Sequence, residues 1–369
     1  ACTMPETTPA PLNVFEYRDA ARQHLPTMVY DYYAGGARDE LTLGDNRRAY
    51  DRLSIRYRVM RDVSNRSMAT TLQGSALDLP LLVAPTAFHG MACEEGERAT
   101  ARAAGRMGTI MILSTLSTTA VEDVVAAGRG PVWFQLYVYT DRDATRDLVR
   151  RAEAASCEAL VLTVDAQVWG VRERDERNGF SLPDGLVMKN LEASGKPSFP
   201  EVEGSGLAAY VNQNFDTSLT WDDLDWLAGL TNVPMFVKGI VRGDDAVRAA
   251  EHGAAGVIVS NHGGRQLDTS PATIEVLPDV ADAVNDRAVD VLVDGGIRRG
   301  TDVLKALALG ADAVAVGRPV LWGLAVDGER GAVDVLSMLR DELDTALALA
   351  GTASIHDLSP DLVARRNAE

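Results

Sequence analysis

Cysteine is nearly absent from this chain. Cys2, Cys93 and Cys157 are its three cysteines in 369 residues. They are too scattered for a disulfide framework or a CxxC metal site, so a reducing, cytoplasmic setting is expected. Histidine is scarce as well. His24, His89, His252, His262 and His356 show neither an HExxH pair nor other ligand spacing, and no metal centre is expected. Positive charge runs short: 36 Lys and Arg against 53 Asp and Glu leave a net charge of −17. That balance argues against nucleic acid and anionic membrane surfaces as partners. No apolar run reaches the length of a transmembrane helix. The opening stretch ACTMPETTPAPL lacks the basic and apolar regions of a secretory signal, so residues 1–12 read as a disordered leader. There is no GxSxG elbow, no P-loop and no GxGxxG following a strand, which disfavours hydrolase, NTPase and Rossmann readings.

What is present is a repeat. Apolar, strand-like runs occur at Pro80–Pro85, Thr109–Ser114, Val132–Tyr137, Ala159–Asp165, Pro234–Gly239, Gly256–Asn261, Asp290–Gly296 and Ala313–Pro319. Helical patterns alternate with them at Glu95–Met107, Thr119–Ala127, Asp141–Ala155, Trp221–Leu230, Asp244–His252, Pro271–Asn285 and Thr301–Leu309. Eight such units with short connections predict a closed (β/α)8 TIM barrel, an α/β fold, spanning residues 13–369 as a single domain. A helical, tyrosine-rich segment precedes the barrel, and residues 331–350 predict a C-terminal amphipathic helix. One connection breaks the rhythm. After the fourth run, residues 179–214 are rich in Gly, Ser, Pro and Asn, and we expect them to form a lid over the mouth.

Polar residues interrupt the apolar pattern at the strand ends, where a barrel builds its active site. They are Thr86, Ser114, Gln135, Tyr137, Thr163, Asp165, Lys238, Ser260, His262, Arg265, Asp294, Arg298 and Arg318. The richest stretch is Ser260-Asn261-His262-Gly263-Gly264-Arg265. It sets an imidazole beside a guanidinium on one glycine turn, a base next to an anion-binding fork. Strands seven and eight end in Asp294-Gly295-Gly296-Ile297-Arg298 and Gly317-Arg318-Pro319. Glycine amides with two guanidiniums in adjacent loops suit a phosphate. Ser, Thr and Gln from strands two to four would then meet a polar heterocycle, with the Lys238 charge beside it.

These motifs, with Val29–Gly36 (VYDYYAGG) and Val237-Lys238-Gly239, resemble the FMN-dependent L-2-hydroxy acid oxidase and dehydrogenase family over residues 14–362. The resemblance implies FMN across the barrel mouth. Thr86, Ala87, Ser114, Gln135, Thr163, Lys238 and Ser260 would surround the ring and Asp294 the ribityl chain, with Gly296, Arg298, Gly317 and Arg318 at the phosphate. It implies His262 as the base, with Asp165 on its other ring nitrogen. Arg265 and Arg172 would hold a substrate carboxylate with Tyr32, and Tyr137 would meet the 2-hydroxyl. Departures fall on the substrate side. Leu116 stands where glycolate oxidases carry Trp, Phe88-His89-Gly90 follows Ala87, and Gln167–Arg172 (QVWGVR) replaces the usual Pro-Arg-x-Gly-x-Arg. We therefore expect Leu116 and Phe88 to help shape a wider substrate pocket.

The expected reaction is oxidation of an (S)-2-hydroxy acid with a larger apolar or aromatic side chain, mandelate-like, to the 2-keto acid, with O2 reduced to hydrogen peroxide. Transfer to a quinone or carrier protein and an oxidative decarboxylation are the neighbouring readings. A barrel lyase using Lys238 as a Schiff base is a more distant one. The resemblance also implies a homotetramer, or an octamer.

Overall fold

The computed structural model describes residues 10–366, so residues 1–9 of the expected leader lie outside the described part. Eight parallel strands close into a barrel. They are β1 (Leu81–Val83), β2 (Met111–Ser114), β3 (Val132–Leu136), β4 (Leu160–Thr163), β5 (Met235–Ile240), β6 (Gly256–Val259), β7 (Asp290–Asp294) and β8 (Ala313–Val316). Spatial order follows chain order, and β8 closes on β1 through Val314 opposite Leu81 and Val316 opposite Val83. Each expected run coincides with one strand and each expected helical pattern with a helix, although β5 ends one residue later than its run and the helices Gly243–Glu251 and Gly300–Ala308 begin one residue earlier than theirs. The ladders align the polar strand ends at one rim. Ser114 faces Gln135 across β2–β3, and Thr163 faces Lys238 across β4–β5.

The strands are apolar on both faces because both are covered. Inside the barrel, Leu82, Ile112, Trp133, Val161, Phe236, Ile258 and Leu292 form one buried cluster. The Trp133 and Phe236 rings lie 4.5 Å apart. Gly256 makes that possible, since a Cβ there would sit 2.1 Å from the Phe236 ring. A hairpin just before β1, pairing Thr70–Leu72 with Ser75–Leu77, adds Leu72 and Leu77 to the cluster. Its two-residue turn, Gln73-Gly74, has positive φ at both positions (45° and 85°), the geometry that matches strand twist. The sequence reading did not anticipate it, because Gln is an unusual residue to open such a turn.

Three helices precede the barrel: α1 (Val14–His24), α2 (Thr27–Ala34) and α3 (Leu41–Asp51). Asn13 caps α1, its side chain accepting the Phe15 and Glu16 N–H groups. At the other end, the helix over residues 331–350 is the second part of Arg318–Ala350, broken where Asp327 and Gly328 leave helical geometry. The long connection after β4 carries more structure than its composition predicts. It holds a short helix, Glu173–Arg177, and a second, Gly206–Asn214, capped by the Ser205 hydroxyl. Phe180, Met188, Leu191, Leu207 and Tyr210 are buried, so the segment packs down onto the body of the protein.

Candidate active site

The strand ends converge on one cleft. Its walls include Thr86, Ala87, Ser114, Leu116, Tyr137, Lys238, His262, Arg265 and Asp294, with Tyr32 from α2 and Arg172 from the long connection. Gly296, Arg298, Gly317 and Arg318 close one end of it. Gln135, Thr163, Asp165 and Ser260 do not line the cleft; they sit behind the residues that do. Phe88 is a correction. It is fully buried among Tyr32, Phe180 and Phe199, because its left-handed backbone (φ 62°) turns the ring away from the cleft.

His262 occupies a strained position, a non-glycine residue at φ 58°. Its Nδ1 lies 2.8 Å from Asp165 Oδ1, and its backbone N–H donates to Ser260 Oγ at 3.1 Å. Asp165 fits there because β5 bulges at Gly239. A Cβ at Gly239 (φ 112°) would lie 2.7 Å from the Asp165 side chain. Burial pushes the His262 imidazole below its ordinary value; Asp165 opposes this, and Lys238 and Arg172 add to it. Burial works against the Asp165 carboxylate too, but His262 and Lys238 outweigh it and hold Asp165 low. The pair is therefore an ionised carboxylate and a neutral imidazole. Nδ1–H donates to Asp165, which leaves the Nε2 lone pair free to accept a proton.

The cations need more explanation than the base does. Lys238 Nζ donates to Ser260 Oγ (2.9 Å) and lies 3.2 Å from Asp294, while the Ser260 hydroxyl donates to Asp294 at 2.7 Å. The four arginines lack such counter-charges in contact, apart from Asp175 at 3.9 Å from Arg172. Arg172 lies 3.8 Å over the Trp169 ring, and burial and then Arg265 push it down to about 9. Arg298 is pushed down to about 10 by burial and by Arg47. Arg318 falls well below its ordinary range through burial, Arg265 and Arg298. Arg265 donates to the carbonyls of Tyr32 and Gly35, with its guanidinium 4.9 Å above the Tyr32 ring. Arg172 is buried and Arg265, Arg298 and Arg318 are half-buried, and mutually repelling guanidiniums withdrawn from water are costly unless an anion neutralises them. Arg318 spends three N–H groups on the carbonyls of Tyr33, Gly35 and Gly263 and keeps two more for such an anion. Burial also holds the Tyr32 and Tyr137 phenols above their ordinary values, so both are hydroxyl donors at neutral pH.

Several supporting contacts had no sequence signal. The Asn46 and Asn261 side-chain amides donate to each other at 2.8 Å, fastening α3 to the His262 loop. A Cβ on Gly296 would lie 1.9 Å from the Asn46 carbonyl, so α3 also walls the Arg298 loop. Asp268 accepts the N–H groups of Asp39 and Thr42 at 3.1 and 2.9 Å. Trp169, Leu207, Val211 and Phe215 join the cleft wall from the long connection. Only Trp169 was visible beforehand, as part of a loop that departs from the family pattern.

A (β/α)8 barrel with an aspartate-paired histidine and a set of buried and half-buried cations at its mouth defines an enzyme that holds small anionic molecules. The family model for FMN-dependent dehydrogenases matches residues 21–365, and the chain belongs to that family. An L-lactate oxidase from Nostoc is 52% identical over 354 residues, covering 95% of this chain and 97% of that one. The glycolate oxidase of Spinacia oleracea is 50% identical over 352 residues, 95% of each. The structure of a mandelate oxidase with (S)-4-hydroxymandelic acid superposes with a TM-score of 0.92 at 40% identity, covering 96% of this chain and 99% of that one.

FMN is therefore the cofactor, and the chemistry is that of an FMN-dependent oxidoreductase. The donor set suits the group. The Arg298 and Arg318 guanidiniums and the Arg318 backbone N–H, which opens its helix, offer a phosphate its partners. Ser114, Lys238 and Asp294 present donors and acceptors along the cleft floor, and the Ser114–Gln135–Thr163 side-chain hydrogen bonds brace it from behind. Among the described residues, no cluster of His, Cys, Asp or Glu could hold a metal, and no helix is long and apolar enough to cross a membrane.

Proposed function

We propose that the protein oxidises an (S)-2-hydroxy acid with an apolar or aromatic side chain to the 2-keto acid, reducing dioxygen to hydrogen peroxide. The observation that carries this reading is the Asp165–His262 pair at 2.8 Å, which leaves a free Nε2 in a cleft shared with Arg172 and Arg265. FMN, when bound, would supply the acceptor for the electron pair and for one of the two hydrogens that the substrate loses from its C2–H and O–H bonds. Arg172 and Arg265 hold its carboxylate, assisted by the Tyr32 hydroxyl, and Tyr137 donates to the oxygen on C2. His262 Nε2 accepts the proton released as that carbon is oxidised, and Asp165 steadies the imidazolium. Thr86, Ala87, Ser114, Gln135, Thr163, Lys238 and Ser260 hold the ring region of FMN, directly or through one another. Asp294 holds its polyol, and Gly296, Arg298, Gly317 and Arg318 its phosphate.

The side-chain preference rests on the wall built by Leu116, Trp169, Leu207, Val211 and Phe215. None of these offers an exposed charge to a polar substituent, and together they reward apolar area. Likeness to lactate, glycolate and mandelate oxidases leaves the size of the substituent to this wall. The ion pair of Lys238 with Asp294 suits a fixed positive charge and disfavours a Schiff-base lyase. The test is anaerobic FMN bleaching with glycolate, L-lactate, (S)-2-hydroxy-4-methylpentanoate and (S)-mandelate, followed by oxygen uptake in air. Faster bleaching by the larger acids and peroxide equal to keto acid support the proposal. Bleaching without oxygen uptake would assign the electrons to another acceptor, and a preference for glycolate would overturn the pocket reading.

A further inference from the structure

His89 belongs to no part of the chemistry above, yet it is buried against the cleft. Its side chain is 1% exposed. Nε2 lies 2.6 Å from the Thr86 hydroxyl and Nδ1 lies 2.8 Å from the Thr100 hydroxyl. The surrounding frame is rigid. The His89 backbone N–H donates to Glu97 at 3.0 Å, and the same buried carboxylate accepts the Thr118 N–H and the Thr118 and Thr119 hydroxyls at 2.7–2.9 Å. Glu97 thereby ties the loops after β1 and β2 to the helix Gly96–Arg106, which carries Thr100.

A buried, neutral imidazole has one N–H and one lone pair, so one threonine must receive a proton and the other must give one. Two features decide the direction. Thr100 has a second outlet for its own hydrogen, the Gly96 carbonyl one turn back at 3.5 Å, whereas the Thr86 hydroxyl has no other protein partner among the described residues. The 2.6 Å contact is also the shorter of the two, as expected where a hydroxyl is the donor. Nδ1–H therefore donates to Thr100, and the Thr86 hydroxyl donates to Nε2. A hydroxyl has a single hydrogen, so Thr86 shows only lone pairs to the cleft it lines.

We propose that His89 is a positioning residue that fixes the Thr86 hydroxyl as a hydrogen-bond acceptor toward the FMN ring. This rests on the reading above that Thr86 borders the ring. An acceptor there favours the two-electron-reduced ring, which carries one more ring N–H than the oxidised form.

The measurement is the FMN midpoint potential of holoenzyme variants, by dye-coupled spectroelectrochemistry. His89→Leu frees the Thr86 hydroxyl to turn its hydrogen toward the ring. The preference for the reduced form should fall roughly tenfold, about 30 mV to more negative potential for a two-electron couple. Thr86→Val should move the potential in the same direction, and adding His89→Leu to it should change nothing further. His89→Gln, which still offers Thr86 an acceptor, should restore most of the wild-type value. Thr100→Val keeps the shape of the side chain and deletes its hydroxyl. It removes the partner of Nδ1–H, favours the opposite tautomer, and should shift the potential the same way as His89→Leu. A shift in Thr86→Val with none in His89→Leu or Thr100→Val overturns the role of His89 while leaving Thr86 at the ring. No shift in Thr86→Val overturns the placement of Thr86 itself. Additive shifts in the double variant overturn the idea that His89 acts through Thr86.

Discussion

Replacing Asp165 with Asn removes a charge while keeping the side-chain shape, and the structure gives both the sign and the size of the effect. In the wild type, burial drives the His262 pKa below 6.5, and Asp165 at 2.8 Å is the opposing influence. Without that carboxylate, burial, Lys238 and Arg172 act unopposed and the pKa falls further. In the proposed mechanism the deprotonated imidazole is the base, so kcat/KM is expected to rise with pH through the histidine pKa. In Asp165→Asn this acid limb therefore moves to lower pH. At neutral pH the base form is populated in both enzymes, so the rate loss there reports on the transition state alone. The imidazolium that forms lacks a charge-assisted hydrogen bond, about 1.5–3 kcal/mol, which is roughly a tenfold to 150-fold loss in kcat at 1.36 kcal/mol per decade. The amide can also turn. With Nδ2 facing the ring, Nδ1 becomes the acceptor and Nε2 carries the hydrogen, which blocks the base and adds to the loss. Anaerobic stopped-flow reduction of FMN across pH measures both quantities. An unchanged rate, or an acid limb that moves up, would refute the assignment of the pair.

Other outcomes follow from the same geometry. His262→Ala should slow FMN reduction roughly 10²- to 10⁴-fold, while the visible absorption of bound FMN persists; reduction near the wild-type rate would displace His262 as the base. Gly239→Ala places a Cβ 2.7 Å from Asp165 at φ 112°. It should lower stability by about 1–3 kcal/mol, seen as a lower Tm, together with slower turnover. Arg298→Gln should weaken FMN binding by about 1.5–3 kcal/mol, read from the fluorescence of FMN released on dilution, with the melting of the apoprotein little changed. Leu116→Trp should lower kcat/KM for (S)-mandelate relative to glycolate by about 1–3 kcal/mol of discrimination; an unchanged ratio would remove Leu116 from the pocket wall.

What was legible in the chain is what repeats or concentrates locally. Runs such as Ala313–Val316 show their type because both faces of a barrel strand are covered, so each reads as an uninterrupted apolar stretch. Polar residues at their ends stand out for the same reason, and His262, Lys238 and Arg318 all reach the cleft. What was not legible depends on contacts between distant parts of the chain. The Asn46–Asn261 amide pair spans 215 positions, and nothing near Asn46 marks it as a partner of the His262 loop. Phe88 misled because adjacency to Ala87 suggested a shared pocket, whereas one left-handed residue reverses the direction of a side chain. The helix Gly206–Asn214 escaped notice because its capping serine lies in a stretch whose Gly, Ser and Pro content suggests a loop.

The His262 loop shows why the segment before the barrel belongs to the site. Three consecutive residues, His262, Gly263 and Gly264, have positive φ of 58°, 64° and 74°. Glycine adopts this readily, but His262 is strained by an amount on the order of 1–3 kcal/mol, which must be outweighed by neighbours that a relaxed backbone would lose. Those neighbours are identifiable. Ser260 accepts the His262 N–H, Asn261 accepts the Gly264 N–H at 3.1 Å, and Asp165 holds the ring. From outside the barrel, Asn46 of α3 holds Asn261, and the Ala37 N–H donates to the Gly264 carbonyl at 2.8 Å. If φ of His262 relaxed to a right-handed value, the imidazole would leave Asp165 and the glycines would separate from α3 together. The strain is therefore held by a barrel strand on one side and an N-terminal helix on the other, and the position of the imidazole depends on both.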